Sequence, residues 1–207
     1  MPASRNSWRW WFAWIVIAAT SYATIRYHLA QHEPWSRFYF WTVNKALSYA
    51  AVILLASSYL SARKDRQLAR ALGLCGFSLA LVHSILSWPL LSAFNYPKLY
   101  SNGALGPAGW GCLLSGIAAM ALLFGPALTS FPRFTHSLKP PQWALYQRLG
   151  YFALALVAFH VAVYGFGGWF TPSKWPALMP PITLISFLLA AVPTILRLLS
   201  NKDQENA

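Results

Sequence analysis

Six long apolar runs, separated by short segments that hold nearly all the charge, leave this chain few ways to fold. The runs cover about 8–27, 43–62, 68–91, 108–130, 143–166 and 182–199. About twenty apolar residues in a helix span the roughly 30 Å hydrocarbon core of a bilayer. Inside that core every backbone N–H and C=O must find its partner within the segment, which selects helices. The expected fold is therefore all-α: an integral membrane six-helix bundle in one transmembrane domain, 1–207. Composition agrees, with 57% hydrophobic and only 10% charged residues, against a usual charged share of about 25%.

The net charge is +12. In a soluble chain that would point to nucleic acid. Here the cations lie between the apolar runs, so the reading is membrane topology and anionic lipid headgroups, with no nucleic acid partner. Arg5 and Arg9 stand at the start of the first run. Arg63, Lys64, Arg66 and Arg70 lie between the second and third, and Arg133, Lys139 and Arg148 between the fourth and fifth. Arg197 and Lys202 close the chain. The 3–4 and 5–6 connections carry only Lys98 and Lys174, and the 1–2 connection is mixed, with Arg26, Glu33, Arg37 and Lys45. The basic side is expected to be cytoplasmic, which puts both termini inside and makes this a multi-pass protein of the inner (plasma) membrane. A cleaved signal peptide is the rival reading of the first run, because Ala18, Ala19, Ser21 and Ala23 follow its apolar centre. A retained helix is preferred, because it gives an even count. Trp and Tyr are abundant, as in interfacial belts. Cys75 and Cys112 lie inside apolar runs and are read as small buried hydrophobes. No CxxC or CxxCH occurs, which argues against a disulfide relay or covalently attached haem.

Two histidines stand deep inside apolar runs. His83 is 13 residues past Arg70, and His160 is 12 past Arg148. At about 1.5 Å per residue these are depths of roughly 20 and 18 Å. The third and fifth segments run in the same direction, so both imidazoles belong to the outer half at one level. A matched pair of neutral imidazoles can hold one metal centre, and imidazole is a common axial ligand of haem iron. The plainer alternatives are a hydrogen-bonded packing pair or a proton relay. Gly73, Gly76, Ser78 and Ala80 on one helix, and Gly150, Ala153, Ala155 and Ala158 on the other, would let a macrocycle approach; equally, they would let helices pack closely. His28, His32 and His136 fall in or near connections and are expected to be solvated. From there His28, His32, Arg37 or Lys98 would be in reach of haem propionates at the outer surface.

These patterns carry a family resemblance. Arg70-x-Leu72-Gly73-Leu74 followed by Ala80-Leu81-x-His83 resembles the third helix of the ferric-reductase-like transmembrane superfamily. Trp143-x-x-x-Gln147-Arg148-Leu149-x-Tyr151 followed by Phe159-His160 is similar to its fifth helix, and Thr129-Ser130 fits the end of its fourth. Over about 45–166 the chain is most similar to the haem-binding membrane subunits of the bacterial periplasmic methionine sulfoxide reductase system. The resemblance implies a b-type cytochrome with His83 and His160 as ligands. Two-haem members commonly carry a further histidine 13 residues before the one matching His160. Here Gln147 stands at that position, and Ala69 at the corresponding inner position of the third helix. One outer haem b is therefore expected, as in single-haem metalloreductases of the superfamily. A flavin (FMN or FAD) or a quinone bound near Gln147, Arg148, Arg70 and Trp143 would bridge the inner half.

The expectation is an electron-transfer subunit, an oxidoreductase component working with a partner reductase. Its donor would be a quinol or a flavin reductase. Its acceptor would be a periplasmic reductase or a metal ion. No GxGxxG follows a strand, so no nucleotide-binding domain is expected within these residues. The alternative is a haem-free transporter or assembly scaffold. Against a transporter with a carboxylate proton path, no acidic residue lies inside any apolar run.

Overall fold

The computed structural model describes residues 7–205, with side chains described for 8–199. Arg5, one of the N-terminal charges, lies outside the described residues, and of Lys202 only the helical backbone is described. The main helices are α1 (Ser7–Thr24), α2 (Val43–Ser61), α3 (Arg66–Leu90), α4 (Pro107–Thr129), the short α5 (Pro132–Thr135), α6 (Pro140–Gly165) and α7 (Ile182–Glu205). Five helical stretches are long and apolar enough to cross a membrane: Trp35–Ser61, Arg66–Leu90, Pro107–Thr129, Pro140–Gly168 and Pro176–Leu199. The protein is thus an all-α, multi-pass membrane protein. Its outward surface is apolar, with Ile85, Trp88, Ile117, Phe152, Phe159 and Leu188 all exposed. In water this would be an aggregating surface; in a bilayer it is the lipid face.

Local chemistry explains where the helices begin. Asp65 caps α3, accepting from the Leu68 N–H at 2.9 Å. Pro107 and Pro140 open α4 and α6 at the position where a missing N–H costs nothing. α3 and α4 are joined by a hairpin, Tyr100–Ser101 with Ala104–Leu105. Its two-residue tip, Asn102 (φ 50°) and Gly103 (φ 79°), has the doubly positive φ of the tight hairpin turn that Asn-Gly favours.

α1 differs from the other long helices. Its first half is rich in Trp, and it passes at Ile25–Ala30 into a wider π-helical turn. A second π-helical turn, Phe38–Thr42, leads into α2. The two meet through His28. Its Nε2 lies 2.8 Å from Thr42 Oγ1, its Nδ1 lies 2.9 Å from the Glu33 carbonyl, and its ring stacks on Trp35 at 4.5 Å. The expectation of a solvated His28 is therefore corrected: the side chain is 4% exposed and both nitrogens are engaged. It cannot reach a propionate. His32 and His136 are exposed, as expected.

α2 packs closely along α3, α4 along α6, and α7 joins α6 to α2. α3 meets α4 only lightly, chiefly where Phe77 and Phe124 stack edge to face at 5.1 Å. Connections reverse the chain at each step, so α3 and α6 run parallel. The core between α2, α4, α6 and α7 contains Val52, Leu55, Leu123, Ala153, Leu154 and Ala190.

Candidate metal centre near the C-terminal ends of two parallel helices

His83 lies seven residues before the end of α3, and His160 five before the end of α6. These are equivalent positions on parallel helices. Each imidazole is oriented through Nδ1. For His83 the partners come from α2: Asn44 Oδ1 at 2.8 Å and the Asn44 carbonyl at 3.2 Å. Asn44 is fully buried, and its amide donates in turn to Ser87 Oγ at 2.9 Å. For His160 the partner is the Cys112 carbonyl of α4, 2.7 Å from Nδ1. The Cys112 thiol lies beside that ring, 3.5 Å from Nδ1 and 3.8 Å from Nε2.

Carbonyl and amide oxygens only accept, so both Nδ1 atoms carry the proton. The lone pair then resides on Nε2, which in both rings has no oxygen or nitrogen partner among the described residues. This is the tautomer a ligating histidine needs, held by the kind of outer partner that usually fixes it. Among the described residues no three His, Cys, Asp or Glu side chains cluster around a bare metal ion. Axial ligation of a haem needs only two ligands; the macrocycle supplies the rest. The donor set fits that group.

The structure sorts the small residues differently from the expectation. Gly73 and Gly76 lie against α2: a Cβ at Gly73 would stand 2.9 Å from Ser58 Oγ, and one at Gly76 2.9 Å from Leu55 Cγ. The Tyr59 hydroxyl fills the space over Gly150. Ala153 and Ala158 belong to the core, while Ser78 and Ala155 are exposed. Gly73, Gly76 and Gly150 bring α2 close to its neighbours. The glycine that does face a histidine is Gly116 of α4, which sequence reasoning missed. A Cβ there would lie 3.0 Å from His160 Nδ1. Spacing offered a hint, since Gly116 follows Cys112 by one helical turn.

Toward the opposite end of α6, Gln147 is tied to α4. Its amide donates to Thr129 Oγ1 at 2.9 Å and to the Pro126 carbonyl at 3.3 Å, and its own carbonyl accepts from Tyr59 at 3.3 Å. Arg70, Trp143 and Arg148 are exposed, and no hydrogen bond or ion pair joins them to Gln147. Ala69 is buried against α2, its carbonyl accepting from Ser58 Oγ at 2.7 Å. No protein-family model matches the chain, and no curated protein matches it.

Proposed function

We propose that the chain is a membrane b-type cytochrome subunit. In this reading His83 and His160 are the axial ligands of a single haem in the outer half of the bundle. The observation that carries the proposal is the pair of Nε2 atoms on parallel helices, neither with an oxygen or nitrogen partner among the described residues, each ring locked by an acceptor at Nδ1. When bound, haem supplies one-electron exchange at its iron. The residues do the rest. Asn44 and Cys112 hold the rings and raise their basicity. Gly116 makes room for the His160 ring. The apolar bundle excludes water and so sets the potential.

The resemblance to the ferric-reductase-like superfamily belongs to this proposal, as do its donor and acceptor. The donor is a quinol or a flavin at the inner end, where Gln147, Arg148, Arg70 and Trp143 lie. The acceptor is a periplasmic reductase or a metal ion. So is the topology: α1 is a sixth span, with Trp10, Trp11, Trp14 and Ile17 facing lipid, and both termini are cytoplasmic in the inner membrane.

The test is a dithionite-reduced minus oxidised spectrum of detergent-purified protein, with haem quantified per chain. The expected result is a sharp low-spin b-type band near one haem per chain, lost in His83→Ala and in His160→Ala. Two haems per chain would overturn the single-site reading. No haem after expression with ample haem supply would leave a transporter or scaffold as the function.

A further inference from the structure

Beside the histidine pair lies a group of donors, two cations among them, that no carboxylate contacts among the described residues. Lys45 follows Asn44 on α2, and its Nζ is surrounded by aromatic rings. Trp41 is at 4.2 Å, Tyr27 and Tyr164 at 5.3 Å, and Tyr96 at 5.5 Å. No oxygen accepts from this ammonium among the described residues. Arg26 shares the Tyr27 ring, its guanidinium carbon 6.0 Å from the centroid, and is 6% exposed. One of its terminal nitrogens donates to the Met179 carbonyl. Its Nε has no acceptor, and neither has the indole N–H of Trp41. These are the only two buried side-chain polar atoms left without a partner among the described residues, and both border the Lys45 cage.

The protein's own anions are accounted for. The chain has four Asp and Glu residues. Glu33 is paired with Arg37 at 2.9 Å, and Asp65 caps α3 at the opposite end. Asp203 and Glu205 lie at the far end of α7, on the inner side with Asp65. A tyrosinate does not supply the charge either: burial pushes the Tyr96 phenol above its ordinary value, so it stays protonated. A buried guanidinium with no carboxylate in contact is costly, and a half-buried ammonium stands beside it. Cation–π contact offsets part of that cost for Lys45, but no protein oxygen accepts from its N–H donors among the described residues.

We propose that Arg26 and Lys45 form a carboxylate-binding site at the outer end of the bundle, which receives the propionate edge of the haem held by His83 and His160. The inference rests on the haem reading above. Lys45 is next in sequence to the residue that orients His83, so a macrocycle on His83 brings its polar edge within reach of this site. The candidates expected from sequence are otherwise engaged or exposed. Arg37 is paired with Glu33 and donates to Asn95 at 3.2 Å, His28 is buried with both nitrogens bonded, and His32 and Lys98 are exposed.

The test uses haem-free full-length protein in detergent, titrated with haem and with haem dimethyl ester, whose propionates carry no charge. Wild type should bind the ester about tenfold or more weakly, as loss of charge-assisted hydrogen bonds implies. Lys45→Met should lose most of that discrimination, and Lys45→Arg should keep it. Arg26→Gln provides a second reading if Lys45→Met does not fold. Thermal unfolding of the haem-free protein gives a result of opposite sign. Removing an uncompensated cation should raise the Tm of haem-free Lys45→Met while weakening haem binding, whereas a purely structural lysine would lower both. Equal affinity of wild type for both porphyrins, or undiminished discrimination in Lys45→Met and Arg26→Gln, overturns the site. Failure of wild type to bind either porphyrin overturns the haem reading itself, and this inference with it.

Discussion

Asn44→Ala separates an oriented ligand from a merely buried histidine. Asn44 is 0% exposed and gives the His83 Nδ1–H its nearest acceptor, at 2.8 Å. The substitution removes that acceptor and also the amide that donates to Ser87 Oγ. An orphaned buried donor costs about 1–3 kcal/mol. Here the orphaning is partial. The backbone carbonyl of residue 44 stays 3.2 Å from Nδ1, and Ser87 Oγ stays 3.4 Å away. The expected loss of stability in the haem-free protein is therefore in the lower half of that range, about 1–2 kcal/mol. Loss of such a partner usually costs 10–100-fold in metal affinity. The same backbone substitute argues for the lower end, about tenfold. Haem titration and thermal unfolding in detergent read the two effects separately. Ser87→Ala is the control: it touches His83 only at 3.4 Å and should cost no more than about threefold in affinity. If Asn44→Ala bound haem within twofold of wild type, or no worse than Ser87→Ala, the orientation argument would be refuted.

Other substitutions probe the packing and the topology. Gly116→Ala places a Cβ 3.0 Å from His160 Nδ1 and 3.2 Å from its Cε1, so haem affinity should fall severalfold. Gly111→Ala, whose nearest neighbour is 3.8 Å away, should leave the haem titration unchanged. Gly76→Ala meets Leu55 N at 3.0 Å and Leu54 Cβ at 3.1 Å, and overpacking there should cost about 1–3 kcal/mol in unfolding. Gly167→Ala enters open space and should leave the Tm unmoved. In a Cys75→Ser/Cys112→Ser background, Lys64→Cys should react with an impermeant maleimide only after cell disruption, and Asn102→Cys in intact spheroplasts. The reverse pattern would invert the proposed topology.

Much of the fold was legible because membrane helices announce themselves by length. The segments expected at 43–62, 68–91 and 108–130 became Val43–Ser61, Arg66–Leu90 and Pro107–Thr129, with ends set by Asp65 and Pro107, which are readable locally. The first run was less legible. Its Trp and Tyr residues are amphipathic, and nothing in a residue pattern announces the π-helical turn at Ile25–Ala30 that buries His28. His83 and His160 stood out as polar residues in apolar runs. Their partners did not, because Asn44 lies 39 positions from His83 and Cys112 contributes a backbone carbonyl 48 positions from His160. The small residues were visible, but their direction was not. Whether Gly73 faces a cofactor or Ser58 depends on helix rotation, which tertiary packing decides. Lys45 looked like one more loop charge until the fold surrounded it with rings drawn from the two π-helical turns, α6 and the connection between α3 and α4.

The two histidines differ in how open they are to inherited change. The acceptor for His160 is a main-chain carbonyl, and any residue at position 112 would provide one. The acceptor for His83 is a side chain, and a single codon can replace it. Aspartate at position 44 would strengthen the pull on the Nδ1 proton and make that imidazole a stronger donor; serine or alanine would weaken it. One side of the centre is thus fixed by the backbone while the other is adjustable. A lineage carrying this fold could change the donor strength of the His83 imidazole through position 44 alone, leaving both histidines and every helix contact of α6 untouched.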